Sequence, residues 1–210
     1  MQTLDLDYAA DDTTLRGYLA FEEGALPRPG VLVFPEGLGL GDFAMEKARQ
    51  LASLGYVAFA ADMFGERRQA RNLQEVATLV GALRAEPERL RARAHAAVAT
   101  LAGLPQVDAS RLAAIGFCFG GSVVLELARS GAKLKAVVSF HGVLATKLPA
   151  AERQVKASVL VLTGAEDPLA PPDQVAAFED EMRAAKVADW RVVSYGNTLH
   201  ALPTRPPMAR

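Results

Sequence analysis

The segment Ile115-Gly116-Phe117-Cys118-Phe119-Gly120-Gly121 decides how this chain is read. Before it, Leu112-Ala113-Ala114-Ile115 is a short apolar run of buried-strand character, and after it Ser122-Val123-Val124-Leu125-Glu126-Leu127-Ala128 reads as a helix. Gly116 and Gly120 flank the cysteine in the pattern Gly-x-Cys-x-Gly, so a strand can turn sharply into a helix without a β-carbon striking its neighbours. Such an elbow lifts Cys118 to the carboxyl edge of a sheet and seats it at a helix N-terminus, where free backbone N–H groups and the helix dipole favour a thiolate. The alternative is a structural cysteine in a tight, glycine-rich core. Strand, glycines and helix together favour the nucleophile.

Outward from the elbow, the chain alternates strands and helices. Leu4 and Leu6 alternate with Asp5 and Asp7, and Leu15 to Phe21 follows the polar turn Ala10-Asp11-Asp12-Thr13, which predicts an antiparallel hairpin. Gly24 to Gly30, with two prolines, breaks the pattern before the buried-strand run Val31-Leu32-Val33-Phe34. Asp42 is a candidate cap for a helix to about Leu54, and Tyr56 to Ala60 is a further strand. Glu66 to Gly103 has no strand signal and reads as two helices split near Pro87, a crossover or a cap over the active edge. Its arginines Arg67, Arg68, Arg71, Arg84, Arg89, Arg91 and Arg93 read mostly as a solvated helix face, with one or two able to lean over a site. Past the elbow, Ala136 to Phe140, Ser158 to Leu162 and Trp190 to Tyr195 are strands, and Asp173 to Lys186 is a helix. The expectation is one α/β domain over residues 1–210, with 66–103 as a helical crossover or cap region, a mostly parallel central sheet, helices on both faces and an N-terminal antiparallel hairpin.

Composition narrows the function classes. The chain has 210 residues, half of them apolar, and a formal charge of −1, which gives no footprint for a nucleic-acid partner. A single cysteine cannot form an internal disulfide and suits a reducing compartment. Met1 to Ala10 has no apolar core of signal-peptide length, and no run reaches the roughly twenty apolar residues of a membrane span. A cytoplasmic protein without membrane partners is therefore expected.

A nucleophile on an elbow needs a base, and the base needs an orienting carboxylate. In the chain order nucleophile, acid, histidine, Asp167 follows the strand that ends at Leu162, and His200 follows the strand that ends at Tyr195. All three positions lie beyond the carboxyl ends of expected parallel strands, where open α/β sheets bind their ligands. Asp167 can instead be a turn cap before Pro168, Glu166 is a rival acid, and His200 can be a surface histidine. His95 lies in an expected helix and reads as structural, while His141, at a strand end, can border the pocket. The backbone N–H of Phe119 is one oxyanion donor, and the second is expected from the loop Phe34-Pro35-Glu36-Gly37-Leu38-Gly39-Leu40-Gly41. Glu36 is an unusual acid to place beside a thiol, unless it points to water. No cysteine and histidine cluster has ligand spacing, so neither metal nor organic cofactor is expected.

Phe34-Pro35-Glu36, Gly116-Phe117-Cys118-Phe119-Gly120-Gly121, Gly164-Ala165-Glu166-Asp167-Pro168 and Gly196-Asn197-Thr198-Leu199-His200-Ala201 together resemble the dienelactone hydrolase family of the α/β-hydrolase fold. The resemblance spans nearly the whole chain. It implies a Cys118, Asp167, His200 triad that hydrolyses a cyclic enol lactone through an acyl-enzyme, with Gly37 as the second oxyanion donor, and so a cysteine-dependent hydrolase of carboxylic esters or lactones. It further implies that Glu36 contacts the resting thiol and helps to generate the thiolate when substrate binds. Family members acting on dienelactone hold its carboxylate with arginines, one before the elbow and one after the histidine, and Arg205 is a candidate for the latter. Leu38 and His141 are further candidate substrate contacts. Where the family continues into a closing helix, this chain has Leu202 to Arg210 with three prolines, so that helix is expected to be absent and a homodimer or a neighbouring chain to cover the face. The rival readings are a broad small-ester esterase on the same residues and a catalytically weak binding or regulatory protein that keeps the fold.

Overall fold

The computed structural model describes residues 1–24 and 27–200. In chain order its elements are β1 (Gln2–Ala10), β2 (Thr13–Phe21), β3 (Arg28–Phe34), α1 (Asp42–Ser53), β4 (Val57–Ala60), α2 (Leu73–Ala85), α3 (Pro87–Ala102), β5 (Val107–Phe117), α4 (Phe119–Arg129), β6 (Ala136–Phe140), β7 (Ser158–Gly164), α5 (Pro172–Ala184) and β8 (Trp190–Tyr195). The strands form one eight-stranded sheet in the order β1-β2-β4-β3-β5-β6-β7-β8. Pairing is antiparallel in β1–β2 and β2–β4 and parallel from β4 through β8. The expected hairpin and mostly parallel sheet are both present.

Local chemistry explains the boundaries. Asp11 and Asp12, with φ of 52° and 58°, make the two-residue hairpin turn whose left-handed backbone matches strand twist. Asp7 and Asp5 on the outer face of β1 pair with Arg16 and Arg67, while Tyr8 on the other face is buried. α1 presents Ala44, Ala48 and Ala52 to Ala58 and Ala60 of β4, a small-on-small contact that brings helix and sheet close. The opposite face of the sheet carries the larger cluster, in which Leu90 and Leu101 of α3, Val123 and Leu127 of α4 and Phe178 of α5 pack over Leu32, Ala114 and Val159.

Three expectations need correction. β3 begins at Arg28 rather than Val31, because a β-bulge between Pro29 and Gly30 carries the strand through residues that punctuate a sequence. At Gly30 a β-carbon would come within 2.7 Å of the Leu112 side chain, so the glycine serves packing and not a loop. Asp42 is the first residue of α1 and not its cap; Gly41 holds the cap position without a side-chain bond, and Asp42 acts through the helix dipole. Finally, the arginines of 66–103 are not all a solvated face. Arg93 is only 4 % exposed and binds Met63 O at 2.7 Å, Thr13 Oγ1 at 2.9 Å and Asp11 Oδ2 at 3.3 Å, while Arg91 pairs with Glu126 at 2.8 Å. Glu126 also meets Arg129, which reaches Glu181 and the Leu144 carbonyl, so a chain of buried charges fastens the segment after β6 to α4 and α5.

On the α1 side, Val138 and Phe140 of β6 and Leu160 and Leu162 of β7 are half-buried, and Val193 and Tyr195 of β8 are exposed. The expectations for the closing helix and for Arg205 fall on residues 201–210, outside the described residues. No helix among the described residues is long and apolar enough to cross a membrane.

The elbow is the tightest point of the fold. A β-carbon on Gly116 would strike the backbone of Gly120, and one on Gly120 would strike the carbonyl of Phe34. Both clashes are with backbone that cannot rotate away. Gly120→Ala is therefore expected to lose about 3 kcal/mol or more of stability, read as a collapse of the urea midpoint, whereas Gly81→Ala, where nothing lies within 4 Å of the added carbon, should leave that midpoint unchanged or raised.

Candidate active site

β5 ends at Phe117 and α4 starts at Phe119, which leaves Cys118 alone between them with φ 51° and ψ −112°. A left-handed backbone is costly for a residue with a side chain and survives only where the surroundings over-determine it. Here Cys118 N donates to Phe140 O at 2.9 Å, and Gly120 N donates to Pro35 O at 2.9 Å. The second of these bonds also ties the loop after β3 to the elbow.

His200 stands on the loop after β8, and Asp167 on the loop after β7. The two loops are stitched together: Glu166 N donates to Thr198 O at 3.1 Å, and Asn197 N donates to the Glu166 carboxylate at 3.2 Å. A β-carbon on Gly164 would strike the Thr198 carbonyl, so a glycine at the end of β7 admits the histidine loop. His200 Nδ1 lies 2.8 Å from Asp167 Oδ2, and His200 Nε2 lies 3.3 Å from Cys118 Sγ. An ionised carboxylate only accepts, so Nδ1 carries the proton and Nε2 is left free to accept one from sulfur. Asp167 is 1 % exposed, and its other oxygen accepts Leu169 N at 2.8 Å, so it both caps its turn and faces the histidine. Glu166 is committed to Asn197 instead.

Burial pushes the Cys118 thiol above its ordinary pKa; the backbone N–H groups of Gly37 and Phe119 and the charge of Arg84 oppose that shift, and Glu36 adds to it. The helix N-terminus thus favours the thiolate as the sequence suggests, but desolvation outweighs it. Glu36 has its own pKa raised by burial and forms no hydrogen bond with Sγ; it acts on the thiol by charge. Leu38 is exposed and lines a hollow of about 250 Å³ with Glu36, Asp42, Phe43 and Gln69. His141 packs its ring against His200, with centroids 5.0 Å apart, and burial followed by the charge of His200 lowers its pKa to about 4. His95 is structural, bonding Ser130 Oγ at 2.7 Å.

Arg84 is the residue that the sequence left among its solvated arginines. It lies on the last turn of α2, burial lowers its pKa, and its charge reaches Cys118. It has no carboxylate or hydrogen-bond partner among the described residues. With Pro87, Leu90, Ser122, Val143 and Thr146 it lines a cavity of about 260 Å³ that begins one turn along α4 from Cys118. Its place just before the break at Pro87 was the available signal.

Comparison with known proteins agrees with this architecture. The profile of the Dienelactone hydrolase family matches residues 15–207. A Salmonella typhimurium protein assigned as a carboxymethylenebutenolidase is 31 % identical over 188 residues, covering 85 % of this chain and 68 % of its own length. A Yersinia pestis protein of the same assignment is 29 % identical over 184 residues, covering 83 % and 68 %. The solved structure of a dienelactone hydrolase-like promiscuous phosphotriesterase from metagenomic libraries superposes with a TM-score of 0.88 at 43 % identity, over 95 % of this chain and 83 % of that one. With the strand order, the cysteine elbow and the loops after β7 and β8 in place, a match over nearly the whole length means that the chain belongs to the dienelactone hydrolase family of α/β hydrolases.

Proposed function

We propose that the chain hydrolyses small anionic carboxylic esters or lactones through an acyl-enzyme on Cys118. The observation that carries this reading is His200 set between Asp167 Oδ2 at 2.8 Å and Cys118 Sγ at 3.3 Å. Sγ attacks the acyl carbon while His200 Nε2 takes the thiol proton, and Asp167 stabilises the imidazolium so formed. The carbonyl oxygen gains the charge and is received by the N–H groups of Gly37 and Phe119, which already point at the sulfur. Collapse breaks the acyl carbon to oxygen bond, and His200 returns its proton to the departing alkoxide or enolate. Water, deprotonated by His200, then attacks the thioester and releases the carboxylic acid and the thiol.

Substrate class follows from the cavity and Arg84. About 260 Å³ is below the ~300–1,000 Å³ of drug-sized ligand sites, which suits a single ring or a short acyl chain. Arg84 lines this cavity without a carboxylate partner among the described residues, the Glu126 carboxylate of the same lining being paired with Arg91 and Arg129, and this supports a carboxylate on the substrate. A second activity has its own support in the phosphotriesterase relative. There Sγ would attack phosphorus, expel the aryloxide and form a thiophosphoryl enzyme that water must clear.

Three outcomes are expected. Cys118→Ala should lower kcat on a carboxylate-bearing enol lactone by at least about 10³-fold, and abolish any paraoxon turnover with it; retained hydrolysis would place the nucleophile elsewhere. Arg84→Met should raise KM for that lactone about tenfold to hundredfold, the ~1.5–3 kcal/mol of a charge-assisted hydrogen bond, and leave KM for a neutral aryl acetate unchanged; equal effects on both would remove the anionic substrate class. Because burial and Glu36 raise the thiol pKa, iodoacetamide alkylation of the free protein should reach its midpoint on the alkaline side of an ordinary thiol. Glu36→Gln should move that midpoint down and Arg84→Met should move it up.

A further inference from the structure

Two locally unfavourable features meet in His141. Its φ of 42° is left-handed, and its buried Nδ1 has no hydrogen-bond partner among the described residues. It cannot relax easily, since its N–H donates to Leu162 O at 2.8 Å and Gly142 beside it packs against Gly121 and Ser139 with no room for a β-carbon. A fold that keeps such a residue holds its side chain in one place. That place is against the His200 ring, at an interplanar angle of 83° with centroids 5.0 Å apart.

Asp167 and Cys118 grip His200 at its two nitrogens, at 2.8 Å and 3.3 Å. Neither stops the ring from rocking about the line joining its partners, whereas a perpendicular ring against it does. The charged groups that face His141 are His200 and Asp167; burial and His200 bring its pKa down to about 4, so at neutral pH no like charge opposes the imidazolium when His200 takes the proton.

We infer that His141 is a positioning residue that keeps the His200 imidazole aligned with Sγ through this perpendicular ring contact. The inference rests on His200 being the base proposed above. The test compares His141→Ala, His141→Phe and His141→Leu with the parent and with Cys118→Ala, reading kcat, KM, the alkylation midpoint of Cys118 and the thermal midpoint. His141→Ala and His141→Leu should lower kcat by about tenfold or more at unchanged KM, and raise the alkylation midpoint by about half a pH unit. His141→Phe, which restores a ring, should stay within about threefold of the parent with the parental midpoint. His141→Leu at parental kcat and alkylation midpoint, or His141→Phe as impaired as His141→Leu, overturns the inference, and this pair decides even where the alanine variant fails to fold. Hydrolysis surviving in Cys118→Ala would remove the underlying reading as well, whereas an inactive Cys118→Ala beside an unimpaired His141→Leu removes only the role of His141.

Discussion

The hydrogen bond from Gly120 N to Pro35 O, 2.9 Å long, is the constraint on which the site depends. It exists only because Gly120 lets the first turn of α4 rest on the end of β3. That contact sets the left-handed backbone of Cys118 and at the same time brings the N–H of Gly37 beside the N–H of Phe119. Cys118 and the two backbone donors that face its sulfur are thus positioned by one packing event between two strands and a helix. The histidine and aspartate arrive from the other direction, on loops that β7 and β8 hold in register and that Glu166 and Thr198 join.

Electrostatics at the sulfur is a contest between burial and backbone donors. Gly37, Phe119 and Arg84 favour the thiolate; burial and Glu36 disfavour it and prevail. The balance shifts the Cys118 thiol toward its protonated form. In the proposed reaction, a substrate carboxylate at Arg84 and an acyl oxygen at Gly37 and Phe119 would rearrange the same charges that set the thiol. Glu36 is half-buried, and that burial raises its own pKa.

Much of this was legible in the sequence because the signals are local. Continuous apolar runs such as Val31–Phe34 mark strands buried on both faces, and Gly-x-Cys-x-Gly between a strand and a helix marks the elbow. What escaped is non-local. Arg93 looks like one more surface arginine of α3 until Asp11 and Thr13, about eighty residues away, fold against it. Arg28 to Gly30 belong to β3 only because a bulge and the side chain of Leu112 accommodate them. The thiol misled in a different way: a helix N-terminus is visible in the sequence, but the desolvation that outweighs it belongs to the packed site.

The most direct measurement is intact mass after millisecond quenching of the protein with a slowly deacylated ester, followed by peptide mapping. Acyl transfer through Cys118 predicts one added acyl group, located on the peptide containing Cys118, that forms before steady state and decays at the rate of turnover. Continued product release with Cys118 unmodified, or an acyl group on another residue, would contradict it.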